Sequence, residues 1–323
     1  MLRIVPATGE RLRPALELLF SEWPADVRAA RIAEIPQEIE DGDFDPQRLL
    51  LAEIDAQPVG VQLTIVRDDG VGMVWPPVVN LPLLKRTSPL VGEVIEDELL
   101  AEAVRQLDTA GAWIGQALLE PHLLREHAAM QRGGFVRLTE LRFFERPLTT
   151  GSSSSQRSTK SSMSYERYRR SRNRLAFANV LEATYCGSLD CPEMNGLRDG
   201  QQSLETHEAA SEFTSDMWRL YRRDGIDIGV LLMVERADQL AWEVLYLGVV
   251  ESARGRGVGR AMLLDAIDTA RRAKLERLLI VADTRNVPAI SLYESLGFQA
   301  TAKRVAFVRL AQERGRHHFP VSS

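Results

Sequence analysis

Apolar positions along the chain follow two rhythms, and each change of rhythm marks an element boundary. Close-set apolar runs predict strands at 2–7 (LRIVPA), 48–55 (RLLLAEID) and 59–68 (VGVQLTIVRD), the last two forming a hairpin that turns near Gln57-Pro58. Residues 71–79 (VGMVWPPVV) are apolar and β-prone. Helical spacing predicts helices at 10–20, 93–110 (ending at Gly111) and 123–134. Between and after them, 112–119 and 135–146 read as strands.

The second half runs in a similar order. A helix over 172–185 places Leu175, Ala178, Leu181 and Tyr185 on one side, and a polar loop over 187–202 follows. Residues 208–223 pass from helix into strand, and 227–236 and 241–250 are the strongest strands of the chain. Then come a glycine-rich turn, a helix over 259–273, a strand over 276–284, a helix over 287–297 and a long last strand over 298–310. Both halves end a short helix in Gly-Phe before a long strand, at Gly134-Phe135 and Gly297-Phe298. Internal duplication of one α/β unit explains this economically.

Between the halves, 151–164 (GSSSSQRSTKSSMS) holds eight serines in fourteen residues and has almost nothing to bury, so it predicts a flexible linker. The expected division is a first domain over 1–147, a linker over 148–164, a second domain over 165–310 and a polar tail over 311–323. A length of 323 residues suits two domains.

Composition narrows the function classes. At 45% hydrophobic and 26% charged residues the chain is ordinary globular material. Its longest apolar runs fall far short of the roughly 20 residues of a membrane-spanning helix, and no secretory signal is visible at the start, so a cytoplasmic location and no membrane partner are expected. Net charge is −5, distributed as −9 over 1–150, +6 over 151–174 and −2 over 175–323. The acidic first half offers no footprint for nucleic acid, and the basic stretch reads as a solvated lead-in to a helix. Cys186 and Cys191, five apart in a loop without a nearby histidine, make neither a disulfide scaffold nor a metal site. His122 and His127 fall on different helix faces, so no metal is expected.

The chemistry concentrates at 248–267 (GVVESARGRGVGRAMLLDAI), where an apolar strand enters Arg254-Gly255-Arg256-Gly257-Val258-Gly259-Arg260 and then a helix. Glycines free the backbone to take left-handed angles, and successive N–H groups at the positive end of a helix cradle phosphate oxygens. Arg254, Arg256 and Arg260 add charge suited to phosphate. A Walker loop is excluded because no lysine is present, and a dinucleotide fingerprint is disfavoured because the spacing is G-x-G-x-G.

Arg254-x-x-Gly257-x-Gly259 resembles the Q/R-x-x-G-x-G/A signature of the GNAT superfamily of acyl-CoA-dependent N-acyltransferases, and 286–298 (NVPAISLYESLGF) resembles its second hallmark. The resemblance is specific over 240–300, extends in element order over 165–310, and over 1–147 rests on element order and the Gly-Phe ending. It implies an α/β (α+β) fold of two such domains, each a mixed, mostly antiparallel sheet flanked by helices. It implies acetyl-CoA as co-substrate, with Arg254 through Arg260 at its diphosphate and Leu247, Gly248 and Val249 along its pantetheine arm.

Three side chains carry alternative readings. Glu243 lies in a strand that is apolar on both faces, where a carboxylate is costly unless paired or solvated and where burial raises its pKa toward that of a base. It is either the exposed start of that strand or, as the resemblance implies, the catalytic base. Tyr293 sits at helical spacing with Ala289, Leu292 and Leu296 and is either core or, by resemblance, the acid that protonates the departing thiolate. Asn286, before Val287-Pro288, is either a helix cap or near the CoA arm.

The first half lacks the signature. Residues 80–92 hold one glycine, and aligning the Gly-Phe endings sets Met130 opposite Tyr293 and Leu123 opposite Asn286. The expectation is therefore a tandem N-acetyltransferase, active in its second half only, that acetylates a primary amine of a small molecule or protein. Acyl-CoA binding without catalysis, or protein interaction, is the alternative. The amine is its one required partner, and a homodimer is left open.

Overall fold

The computed structural model describes residues 1–80, 89–148, 163–209, 214–236 and 239–311. The chain forms two compact units, Met1–Leu138 with Arg304–Ser323, and Thr139–Lys303. Most of the serine-rich segment, residues 81–88 and nearly all of the polar tail lie outside the described residues.

In the first unit, β1 (Leu2–Pro6), β2 (Leu49–Ile54) and β3 (Gln57–Val66) pair antiparallel in that order. β3 also pairs with β4 (Val71–Val74) and with the two-residue β5 (Val78–Val79). β4 runs parallel to β6 (Ile114–Leu119). Helices α1 (Leu12–Leu19), α2 (Ala25–Asp41), α3 (Pro89–Thr109) and α4 (Leu124–Arg132) connect the strands. Alternation along β2 and β3 sends Leu49, Leu51 and Val61 to one core with α1 and α2, and Leu50, Ala52 and Val59 to another with α3. α2 falls where no element was expected, because Pro36 inside it masks the helical pattern.

The second unit repeats the scheme. β8 (Met163–Arg167), β9 (Arg219–Arg223), β10 (Ile226–Arg236) and β11 (Ala241–Val249) pair antiparallel in sequence order. β11 then pairs parallel with β12 (Arg277–Asp283). The basic lead-in thus contains a strand, β8, rather than only an approach to a helix. α5 (Arg170–Tyr185) and α6 (Gly200–Glu208) cover one connection, α7 (Val258–Arg272) and α8 (Val287–Ser295) the next two. α6 occupies the end of the stretch expected as loop. Its start is a reciprocal cap: Gln202 N donates to Asp199 Oδ1 at 2.8 Å, and the Gln202 side chain accepts from Asp199 N. α7 buries Val258, Met262, Leu263, Ala266, Ile267 and Ala270 along one stripe, each large member adding about 1.5–3 kcal/mol of apolar burial.

The unit boundaries differ from those expected from sequence at both long strands. From Leu141 to Pro147, β7 (Val136–Pro147) pairs antiparallel with β12 inside the second unit. From Val305 to Leu310, β13 (Gln299–Leu310) pairs with β6 inside the first. Each half therefore contributes its last strand to the other half's sheet. The serine-rich segment lies between β7 and β8, whose adjoining ends belong to the same unit. No helix of the described residues is long and apolar enough to cross a membrane.

Candidate active site

The site begins with a failure of pairing. β12 tracks β11 only from Ala241 to Val244, partnered by Arg277 to Ile280. Beyond this, β12 stays with β7 as far as Asp283, while β11 stays with β10. The β10–β11 register slips here: Leu232 faces Tyr246 but Met233 faces Val244, so Leu245 is an extra residue. Such a bulge bends its strand, and the two parallel strands part around it. The gap is a cavity of about 410 Å³, walled by Val244–Val249 of β11, Ile280 and Val281 of β12, the glycine turn and α8. Past Val244 the outer edge of β11 has no β12 partner, so its amides and carbonyls face the gap.

The turn closes one end. Gly255 and Gly257 have φ of 70° and 77°, left-handed angles that cost other residues strain, and Gly257 caps α7. Ala261 is the first residue to bond back, to Gly257 O at 3.0 Å. The N–H groups of 255–260 thus have no acceptor among the described residues and sit at the positive end of a fifteen-residue helix. Leu247, Gly248, Val249, Gly255, Gly257, Val258, Gly259, Asn286 and Tyr293 all line this cavity. Gly248 is sterically required: a Cβ there would lie 2.6 Å from both Thr184 Oγ1 and Tyr246 Cε1.

The arginines behave differently from expectation. Arg254 reaches the wall, but its guanidinium donates to three backbone carbonyls: Val249 O at 3.0 Å, Gly187 O at 2.8 Å and Thr184 O at 2.8 Å. It ties the end of α5 and the following loop to the end of β11, so its donors are committed to the fold and not to a phosphate. Arg260 donates to Ser295 Oγ at 2.9 Å, while Arg256 is exposed and off the cavity wall.

Glu243 is also placed elsewhere. Its carboxylate accepts from Arg236 Nε at 2.7 Å and Nη2 at 2.6 Å, and it is not part of the cavity wall. It is neither the exposed start of the strand nor a free carboxylate: it is half-buried and paired with Arg236.

Tyr293 lies on the wall, 6% exposed, edge-on to Phe144 with ring centres 5.8 Å apart. Its hydroxyl has no hydrogen-bond partner among the described residues. Burial, with a smaller contribution from the Asp190 charge, raises its pKa well above the phenol range, so it stays protonated. Asn286 caps α8, Oδ1 accepting from Ala289 N at 3.3 Å, and also lines the cavity.

Sequence reasoning missed the loop opposite. Asp190 shares this cavity with Tyr293, and Ser188, Asp190 and Tyr246 also line a second, polar chamber of about 120 Å³. Asp190 is an exposed residue on the walls of these spaces, with protein crowded around its carboxyl. That crowding raises its carboxyl above the usual range, opposed first by the backbone N–H of Asp283, which donates to Oδ1 at 2.7 Å. Fully buried Asp283 returns the clasp. It accepts from Cys191 N at 3.1 Å, Thr139 Oγ1 at 2.8 Å and the Arg285 guanidinium at 2.7 Å, and Arg285 extends to Glu193 at 2.9 Å. Cys191 is held at φ 45°. Burial and nearby carboxylates push its thiol up, and Glu251 does the same to Cys186, so both stay protonated at neutral pH.

The alignment partner of Tyr293 in the first unit, Met130, is fully buried in α4 and brings no hydroxyl.

Residues 190–298 match the model of the acetyltransferase (GNAT) family. The chain is 42% identical over 67 residues to a mycothiol acetyltransferase of Acidothermus cellulolyticus, covering 21% of this chain and 20% of that one. It is 34% identical over 106 residues to the mycothiol acetyltransferase of Thermomonospora curvata, covering 33% and 35%. The matches thus span about a fifth to a third of these relatives' length. Among solved structures, a GCN5-related N-acetyltransferase from Sphaerobacter thermophilus superposes with a TM-score of 0.62 at 14% identity, covering 96% and 95% of the two chains. A tandem GNAT protein from the clavulanic acid biosynthesis pathway gives 0.51 at 13% identity, covering 96% and 98%. These structural likenesses bear on the fold.

Proposed function

We propose that the protein, whose residues 190–298 match the model of the acetyltransferase (GNAT) family, acetylates a primary amine at the expense of acetyl-CoA, using the second unit alone. The observation that carries this is the gap between β11 and β12, which opens onto the unbonded amides of 255–260. When bound, acetyl-CoA supplies the thioester. The amides would hold its diphosphate without help from the Arg254 side chain, and the edge of β11 would pair with the amide-bearing arm. The apolar wall formed by Leu247, Val249, Val258 and Leu292 excludes water from that arm.

In this reading the amine nitrogen attacks the thioester carbonyl directly, an N–C bond forms and the C–S bond breaks. Tyr293, protonated and without another partner, donates its proton to the departing sulfur. The first unit offers no phenol at the matching place and acts as a non-catalytic companion. The relatives' name makes the acceptor of the mycothiol acetyltransferases the first amine to assay, beside lysine, glucosamine, cadaverine and ethanolamine.

The test is calorimetric titration with acetyl-CoA, followed by thiol release over the amine panel. Binding with amine-dependent release is expected. Absence of acetyl-CoA binding overturns the proposal, and binding with no amine exceeding the buffer blank converts it to that of an acyl-CoA-binding module.

A further inference from the structure

Asp190 stands at the seam of the two spaces described above. It is on the wall of the long cavity with Tyr293, and on the wall of the polar chamber with Ser188, Tyr185 and Ser203. Ser188, Asp190 and Tyr246 stand on both walls, so an amine whose body occupies the chamber would present its nitrogen to the cavity beside them. We propose that Asp190, and not Glu243, is the catalytic base, and that the polar chamber seats the body of a small, hydrogen-bonding primary amine. This rests on the acetyltransferase reading just given.

Three observations support it. First, Asp190 is the carboxylate on the walls of both spaces, whereas Glu243 is on neither and is engaged by Arg236. Second, it is held in place: Asp283 N fixes Oδ1, and the buried Asp283 carboxylate fixes the backbone of the next residue. Asp283 is thus a positioning residue for the loop. Third, the groups facing Asp190 are the Asp283 carboxylate at the end of β12, the Arg285 guanidinium just after it, the Asn286 amide capping α8, Tyr293 of α8, Tyr246 of β11 and the adjacent Cys191. Burial outweighs the cations and donors among them, and a carboxyl raised this way takes up a proton more readily than an exposed one.

The step balances within the site. The amine reaches the thioester as its free base, an ammonium having first released one proton to solvent, and Asp190 accepts the proton that nitrogen sheds as the N–C bond forms. Tyr293 gives its proton to sulfur as the C–S bond breaks. Proton transfer from Asp190 to the tyrosinate, directly or through solvent, restores both groups, leaving amide and free thiol as products.

The experiment uses the full chain, acetyl-CoA and whichever panel amine turns over fastest. Asp190→Asn preserves size and the acceptor for Asp283 N. It is expected to lower kcat about 100-fold or more, as loss of a general base does, with acetyl-CoA affinity unchanged. Its rate should climb with pH as free amine accumulates, where the parent levels off. Glu243→Gln should stay within threefold of the parent. Asp190→Ala should recover activity in formate, whose carboxylate can occupy the emptied place; a structural role gains nothing from formate. The proposal is overturned if Asp190→Asn keeps its rate within threefold, or if Asp190→Ala binds acetyl-CoA but is not rescued. If the alanine variant loses acetyl-CoA binding, the asparagine variant alone decides. A parent chain without turnover instead overturns the acetyltransferase reading.

Discussion

Replacing Arg254 by alanine separates two meanings of one arginine in the turn. As a phosphate ligand, it would carry affinity for acetyl-CoA and little of the fold. As built, its guanidinium donates to the carbonyls of Val249, Gly187 and Thr184. A hydrogen bond from a charged group contributes roughly 1.5–3 kcal/mol, and an exposed carbonyl recovers much of that from water. Counting only the two half-buried bonds at the lower bound gives a loss of about 3 kcal/mol. For a unit of this size that lowers the melting temperature by roughly 6–12 °C. Lysine has one compact ammonium in place of the planar fork and cannot serve three carbonyls, so Arg254→Lys should recover at most about a third of the loss. Thermal and urea unfolding measure the stability, and titrations at two ionic strengths measure acetyl-CoA affinity. The expected pattern is a large fall in stability with an unchanged salt dependence of binding for the folded fraction. Stability within about 1 kcal/mol of the parent, with weaker and less salt-sensitive acetyl-CoA binding, would show that the three carbonyl contacts were given the wrong weight.

Further outcomes follow from the same geometry. Tyr293→Phe should leave stability and acetyl-CoA affinity near the parent, because the hydroxyl has no partner, and lower kcat about 100-fold through loss of the acid; stopped thiol release with intact binding checks it, and an unchanged kcat rules it out. Gly248→Ala drives a methyl into Thr184 and Tyr246, so about 1–3 kcal/mol of stability and most acetyl-CoA affinity should go, as read by urea unfolding and calorimetry; a variant that binds normally contradicts the close approach. Alkaline titration gives a fourth test. Five of the six tyrosines, Tyr168, Tyr185, Tyr221, Tyr246 and Tyr293, have raised pKa values, burial being the first cause in each. Because the folded state holds these protons more tightly, their contribution is intact below the ordinary phenol pKa of about 10 and is lost as pH rises above it. Phenolate absorbance should therefore appear together with loss of ellipticity. Titration of several tyrosines near pH 10 in a chain that is still folded would refute it.

What could be read from the sequence was local. Gly255 and Gly257 advertise the turn because only the left-handed region lets the chain turn there, and the stripe from Val258 to Ala270 advertises the helix behind it. The strand splay, by contrast, depends on which neighbour β12 follows, and that is decided by β7, more than 130 residues earlier. Arg254 was misjudged for the same reason: an arginine among glycines suits a phosphate, and nothing local reveals that the carbonyls of Thr184 and Gly187 reach it first. Asp190 was hidden in a polar stretch without periodicity, since its meaning comes from Asp283, 93 positions away. Glu243 looked unpaired in an apolar strand because its partner Arg236 lies across the hairpin. The one overlooked signal that was legible is Asp199 with Gln202, a cap pattern that announces α6.

The exchanged terminal strands fix where this protein can be divided. A gene cut at the serine-rich segment, the obvious place by composition, would deliver the second unit without residues 139–147. Such a fragment would lack Phe144, which braces the face of α8 behind Tyr293, and Thr139, which anchors the aspartate that clasps the loop at Asp190 and Cys191. A fragment that keeps the second unit whole has to begin no later than Thr139 and reach Lys303, so the natural cut runs through two strands and not through the serines.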